Sequence, residues 1–103
     1  MSQRKSDTLK TYADLMEASG LLMEAALYGQ EETHPDVLTY DSREVKANTM
    51  FICKGAAFKE TYLVSAIEKG AVLYISERKY ETGKDVPFLL VSDIRKAMAI
   101  LAN

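Results

Sequence analysis

Cysteine and histidine are almost missing from this chain of 103 residues: Cys53 and His34 each stand alone. One cysteine excludes an intrachain disulfide and a thiolate metal cluster, and one histidine argues against a His-based metal or triad site built from this chain by itself. No apolar run approaches the ~20 residues that a membrane crossing requires. The start, Met1-Ser2-Gln3-Arg4-Lys5-Ser6-Asp7, lacks the apolar segment of a secretion signal, so the cytoplasm is the expected compartment. Neither sign of charge dominates. Thirteen Lys and Arg face fifteen Asp and Glu, which leaves no field to gather nucleic acid or an anionic membrane, and any anion site must be made locally. Two patterns are absent as well. Without Gly-x-x-x-x-Gly-Lys-Ser/Thr the chain cannot cradle the triphosphate of ATP in the usual way, and without a Gly-x-Ser-x-Gly elbow or a base partner no serine reads as a nucleophile.

What remains is the balance of a soluble globular protein, 48% apolar and 27% charged. At this length there is one core and no room for two. Leu9, Tyr12, Ala13, Leu15 and Met16 recur at helical spacing, with Asp7 or Thr8 as candidate cap and Ser19-Gly20 as the stop. Residues 21–28 are apolar but short and Ala-rich, and the first 36 residues read as a helical lead-in followed by a polar loop. Val37-Leu38-Thr39-Tyr40 and Met50-Phe51-Ile52-Cys53 read as strands, joined through 41–49 with Asn48 as a turn residue.

Residues 60–69 put Leu63, Ala66 and Ile67 on one helical face, and Gly70 stops that helix. Ala71-Val72-Leu73-Tyr74-Ile75 is then continuously apolar, the pattern of a strand covered on both faces in a parallel sheet. Strand, helix and strand make a β-α-β unit. After a charged loop over 77–87, Phe88-Leu89-Leu90-Val91 gives another buried strand. Ser92 or Asp93 caps a last helix whose apolar positions are Ile94, Ala97, Met98 and Leu101. The expected fold is α/β, a small mostly parallel sheet with flanking helices. Met16, Met23, Met50 and Met98 are expected in the core, and Cys53 as a packed thiol. The last helix reaches Asn103 in mid-pattern, so the chain is expected to be a piece of something longer.

The chemistry-bearing stretch is Thr39-Tyr40-Asp41-Ser42-Arg43-Glu44-Val45 followed by Met50-Phe51-Ile52-Cys53-Lys54-Gly55. Ser42 lies just beyond a strand end, where side chains and free backbone N–H groups of open α/β sheets face ligands. Its hydroxyl can donate to a phosphate or sugar oxygen. Gly55-Ala56-Ala57 ends the next strand with nothing bulky, which permits close approach of a phosphate or a base. On residues alone the first block is equally well an Asx-type turn with a capping Asp and a solvated Arg, and Gly55 reads first as the relief of a tight turn.

These two blocks, with Ala66-Ile67-Glu68-Lys69-Gly70-Ala71 and Val91-Ser92-Asp93-Ile94-Arg95-Lys96-Ala97-Met98, resemble the amino-terminal domain of the Mur ligases, most closely the lysine-adding branch of Gram-positive bacteria. The resemblance runs from about Val37 to Asn103. It implies a single UDP-substrate-binding domain over 1–103, with its α/β core in 37–103, as one part of a three-domain ATP-dependent ligase of peptidoglycan biosynthesis. The implied partner is UDP-N-acetylmuramoyl-L-alanyl-D-glutamate. ATP and Mg2+ would act in a central domain outside this chain, by activating a carboxylate to an acyl phosphate that an amine attacks; no cofactor and no catalytic residue is expected within it.

By the same resemblance Ser42 and Tyr40 meet the UDP-sugar, and Gly55, Ala56 and Ala57 form a second nucleotide-facing loop. Asp41 and Arg43 are expected to brace the corner. The family's commoner loop continues with Asp-Gly before an aromatic, where this chain has Phe58-Lys59-Glu60-Thr61-Tyr62. The alternative from a different class is a stand-alone nucleotide-sugar-binding or protein-interaction module without catalysis.

Overall fold

A computed structural model describes residues 7–55 and 58–102. Five strands, β1 (Leu22–Ala26), β2 (Val37–Thr39), β3 (Thr49–Ile52), β4 (Ala71–Ser76) and β5 (Phe88–Val91), form one sheet in the order β1-β5-β4-β3-β2. β2 to β5 are mutually parallel, and β1 runs antiparallel along β5. Three helices, α1 (Leu9–Ala18), α2 (Glu60–Lys69) and α3 (Ile94–Leu101), cover it. This is the α/β sheet with flanking helices that the apolar pattern predicts.

Alternation along the strands divides the core in two. Met50 and Ile52 of β3, Leu73 and Ile75 of β4, and Leu89 and Val91 of β5 point to the face covered by α1 and α3. Phe51, Cys53, Tyr74, Phe88 and Leu90 point to the face covered by α2 through Leu63 and Ala66. Burial on both faces is why these strands read as unbroken apolar runs. Ala71 and Leu73 are two apart yet face opposite layers, because the β3–β4 register slips between Thr49 and Met50 and a bulge there re-aims the side chains. Leu73 and Leu89 are wholly buried, and each contributes about 1.5–3 kcal/mol by leaving water.

The helix ends follow their signals. Thr8 caps α1 in a reciprocal capping box with Thr11. Gly70 closes α2 in the left-handed region. Asp93 caps α3 by accepting from the backbone N–H of Arg95 and Lys96, and the Glu77 carboxylate accepts from that of Ile94.

Two expectations are corrected. Residues 22–26 form strand β1 rather than part of a helical lead-in, and α1 packs into the core through Leu9, Tyr12 and Met16. Met23 is 65% exposed, in the middle of that edge strand where the register with β5 slips and the three central residues all face solvent. Met16 and Met50 are buried, and Met98 packs against the core, as expected. No helix among the described residues is long and apolar enough to cross a membrane.

Candidate functional site

β2 ends at Thr39, and the chain turns through a one-turn 3-10 helix, Ser42–Glu44, before returning to β3. The turn is held by its own side chains. The buried Thr39 hydroxyl accepts from the Asp41 backbone N–H at 3.1 Å and donates to Glu44 Oε1 at 3.2 Å. Asp41 caps the turn by accepting from the Arg43 N–H at 2.9 Å. The Arg43 guanidinium then forks onto the same carboxylate, Nε to Oδ1 at 3.0 Å and Nη2 to Oδ2 at 2.9 Å. These bonds from Arg43 hold the Asp41 carboxyl below the usual carboxylate range, and Asp41 in turn raises the Arg43 guanidinium. Lys69 Nζ, from the end of α2, donates to the Ser42 carbonyl at 3.1 Å. Asp41 and Arg43 therefore satisfy each other, as a brace should.

Beside this turn β3 ends in Cys53, Lys54 and Gly55. The three residues divide by direction. Cys53 is packed against the α2 layer, and burial pushes its thiol well above the ordinary range, so at neutral pH it is an inert core group. Lys54 turns outward and places Nζ 4.6 Å from the centroid of the Tyr40 ring. Gly55 has φ +105°, with nothing within 4 Å of the position a Cβ would take.

Between the two strand ends lies an open concavity of about 490 Å3, floored by Tyr40, Asp41, Ser42 and Arg43 on one side and by Lys54 and Gly55 on the other. That volume suits a nucleotide-sized ligand. Phe58 and Tyr62 close its far wall, edge to face with centroids 6.4 Å apart. Ser42, half-buried, lines this hollow, and its hydroxyl has no hydrogen-bond partner among the described residues.

The structure thus gathers Tyr40, Ser42 and Gly55 around one hollow. Ala56 and Ala57, expected to line it too, lie outside the described residues. The sequence sets Lys54 at the strand end and Phe58 and Tyr62 in the continuation of the second loop, without assigning any of the three to the site. The signal for the aromatic pair is their position at the start of α2, Phe58 just before the Lys59 cap and Tyr62 in the first turn, where an apolar residue preceding a cap packs back on the helix.

Two other hollows differ in character. One of about 420 Å3 lies between Tyr28, Tyr74 and the 79–86 loop, where Lys79 and Lys84 are offset by Glu81 and Asp85. Another, of about 210 Å3 and almost wholly apolar, lies between Leu38, Ile52 and the end of α3 at Met98 and Ala102. Among the described residues no group of acidic, His and Cys side chains could hold a metal ion.

No family model matches the chain. Curated relatives do. It is 40% identical over 97 residues to the UDP-N-acetylmuramyl-tripeptide synthetase of Lactobacillus acidophilus, a match covering 94% of this chain and 18% of the relative. It is 49% identical over 80 residues to the Ligilactobacillus salivarius protein of the same name, covering 78% and 15%. With the UDP-N-acetylmuramoyl-L-alanyl-D-glutamate--L-lysine ligase of Streptococcus pneumoniae it shares 39% over 99 residues, covering 91% and 20%. The chain thus spans about a fifth of the length of these relatives. Among solved structures, MurF from Acinetobacter baumannii superimposes over 92% of this chain and 20% of its own, with a TM-score of 0.70 and 22% identity, a likeness of fold. With the sheet order, the Asp41-Ser42-Arg43 corner and these relatives taken together, the chain belongs to the Mur ligases and matches their amino-terminal domain.

Proposed function

We propose that the hollow between the ends of β2 and β3 binds the UDP portion of UDP-N-acetylmuramoyl-L-alanyl-D-glutamate, as the first domain of an ATP-dependent ligase that adds L-lysine in cytoplasmic peptidoglycan synthesis. The observation that carries this reading is the Ser42 hydroxyl, unpartnered among the described residues, in a hollow where Asp41 and Arg43 are already paired with each other. A hydroxyl at a strand end, half-buried and free, donates to a phosphate or sugar oxygen without reorganising anything around it. Gly55 lets a ligand approach the backbone, and the exposed Tyr40 ring offers a face to the uracil. The relatives' names supply the substrate class and lysine as the added amino acid.

The residues present do not fit ATP as a resident group. No glycine-rich phosphate loop ending in Lys-Ser or Lys-Thr occurs in the sequence. In this reading ATP and Mg2+ work elsewhere in a longer protein, supplying the phosphoryl group that activates the carboxylate. This domain contributes position alone: it holds the nucleotide end of the substrate and is not itself catalytic.

Titration of the chain with UDP, and then with the UDP-N-acetylmuramoyl dipeptide, read by backbone amide shifts, tests the proposal. Shifts should concentrate at Tyr40 to Arg43 and around Gly55 and Phe58. Ser42→Ala should weaken binding by about 0.5–1.5 kcal/mol without lowering stability. Silence at millimolar UDP, or shifts confined to the 79–86 loop, would sink it.

A further inference from the structure

One cation in the hollow is uncommitted. Arg43 is forked onto Asp41 and Lys69 is tied to the Ser42 carbonyl. Lys54 makes no ion pair among the described residues, and its ammonium rests on the Tyr40 ring, 4.6 Å from the centroid. Tyr40 is 57% exposed, and its ring is the broad open aromatic face at the β2 end of the hollow, opposite Phe58 and Tyr62. Asp41, the one carboxylate that lines the hollow among the described residues, is already paired with Arg43, which leaves no unpaired carboxylate in its lining to repel an entering anion.

We propose that Lys54 is an anion-operated cover on Tyr40. In the free protein the ammonium occupies the ring. When a nucleoside diphosphate enters, the ammonium moves to the diphosphate and the ring it leaves takes the base. The proposal rests on the UDP reading above and adds how that site selects a diphosphate.

The relative strengths set the direction. An ammonium on an exposed aromatic ring gains a factor of roughly two to five, while a charge-assisted bond to a phosphate gains roughly ten or more. The diphosphate therefore wins the lysine. A nucleoside without phosphate must displace the ammonium from the ring and offers it nothing in return. The same residue thus favours UDP twice, by attracting the phosphate and by excluding the bare nucleoside.

The test titrates the whole chain, as wild type and as Lys54→Met, with UDP and with uridine, following amide and Tyr40 ring shifts. The wild type should bind UDP more tightly than uridine. Lys54→Met should weaken UDP about ten-fold and make uridine about two- to five-fold tighter, with the Tyr40 ring resonances moved even without ligand. Lys54→Arg should keep most of the UDP affinity, since a guanidinium also pairs with phosphate and stacks on rings. Wild type that binds UDP beside a Lys54→Met chain that binds it equally well overturns this proposal alone. A Lys54→Met chain that loses uridine and UDP in equal measure overturns it too, since Lys54 would then only shape the pocket. Wild type that ignores UDP overturns this proposal and the UDP reading together.

Discussion

The parallel sheet has two ends, and a glycine in the left-handed region stands at each. Gly70 opens β4 with φ +119°, and the position of a Cβ there falls 2.7 Å from Ala47 Cα. Its carbonyl accepts from the N–H groups of Asn48 and Thr49 at 3.0 and 3.4 Å. Asn48, itself at φ +63°, spends its side-chain amide on the His34 carbonyl and on Asp36 Oδ2. Gly55 follows β3 at the other end with φ +105° and open space around it. Near it lie a free hydroxyl, at Ser42, and a cation held only by a ring, at Lys54. At one end the backbone closes on itself and the glycine fits because nothing larger can. At the other, the same freedom leaves space that the protein does not fill. Close packing and paired backbone groups are concentrated at the first end, and open space with uncommitted polar groups at the second.

Substituting the two glycines tests that division most severely. Gly70→Ala combines an unfavourable φ with a collision against backbone that has no free rotor to yield, and should cost roughly 3 kcal/mol, read as a lower denaturant midpoint. Gly55→Ala meets only the φ penalty, in a loop that can relax, and should cost roughly 1 kcal/mol while reducing the UDP response. Equal midpoints for the two variants would erase the contrast.

Thr49→Val is the next largest perturbation. The Thr49 side chain is wholly buried; its hydroxyl donates to the Lys46 carbonyl at 2.7 Å and accepts from the Lys46 N–H at 3.1 Å. The isosteric valine leaves both backbone groups without that partner, at a cost of about 1–3 kcal/mol. Because Thr49 belongs to the closed end, UDP binding by the folded fraction should be unchanged. A binding defect larger than the stability defect would mean that the two ends are coupled.

The closed end was also the legible one. A helical face marks 60–69 and a glycine its stop at Gly70, both at the observed positions, and the continuous apolar run 71–75 marks β4 to within its last residue, Ser76. β1 was not legible. Its middle residues, Met23, Glu24 and Ala25, are exposed, so no alternation survives, and its strand conformation comes from pairing with β5, 69 residues away in sequence where Leu22 meets Val91. Ser42 and Gly55 could be placed from strand ends and turn residues alone. Phe58 and Tyr62 could not, because the wall they make exists only once α2 has docked and Phe58 has met Tyr80, 5.6 Å away between centroids. Lys54 was visible as a residue, but its position over Tyr40 depends on β2 and β3 pairing side by side.

The smallest expected effect is the most local, and it concerns the brace at the open end. Arg43 holds the Asp41 carboxyl below its ordinary value of 3.8. A carboxyl depressed in the folded state contributes stability that is fully present above its unfolded value and is lost as pH falls through the folded one. The window therefore lies below about pH 4, and since both groups are solvated the change in global stability should be slight. Side-chain carboxyl NMR should find the Asp41 midpoint below 3.8 and Arg43→Ala should return it upward, with little change in the unfolding midpoint. An Asp41 that titrates normally in the wild type would mean that the carboxylate is not held by Arg43. It would then stand as a free negative charge beside Ser42, where a diphosphate would be repelled, and the open end of the sheet would lose the electrostatic arrangement that suits it to an anion.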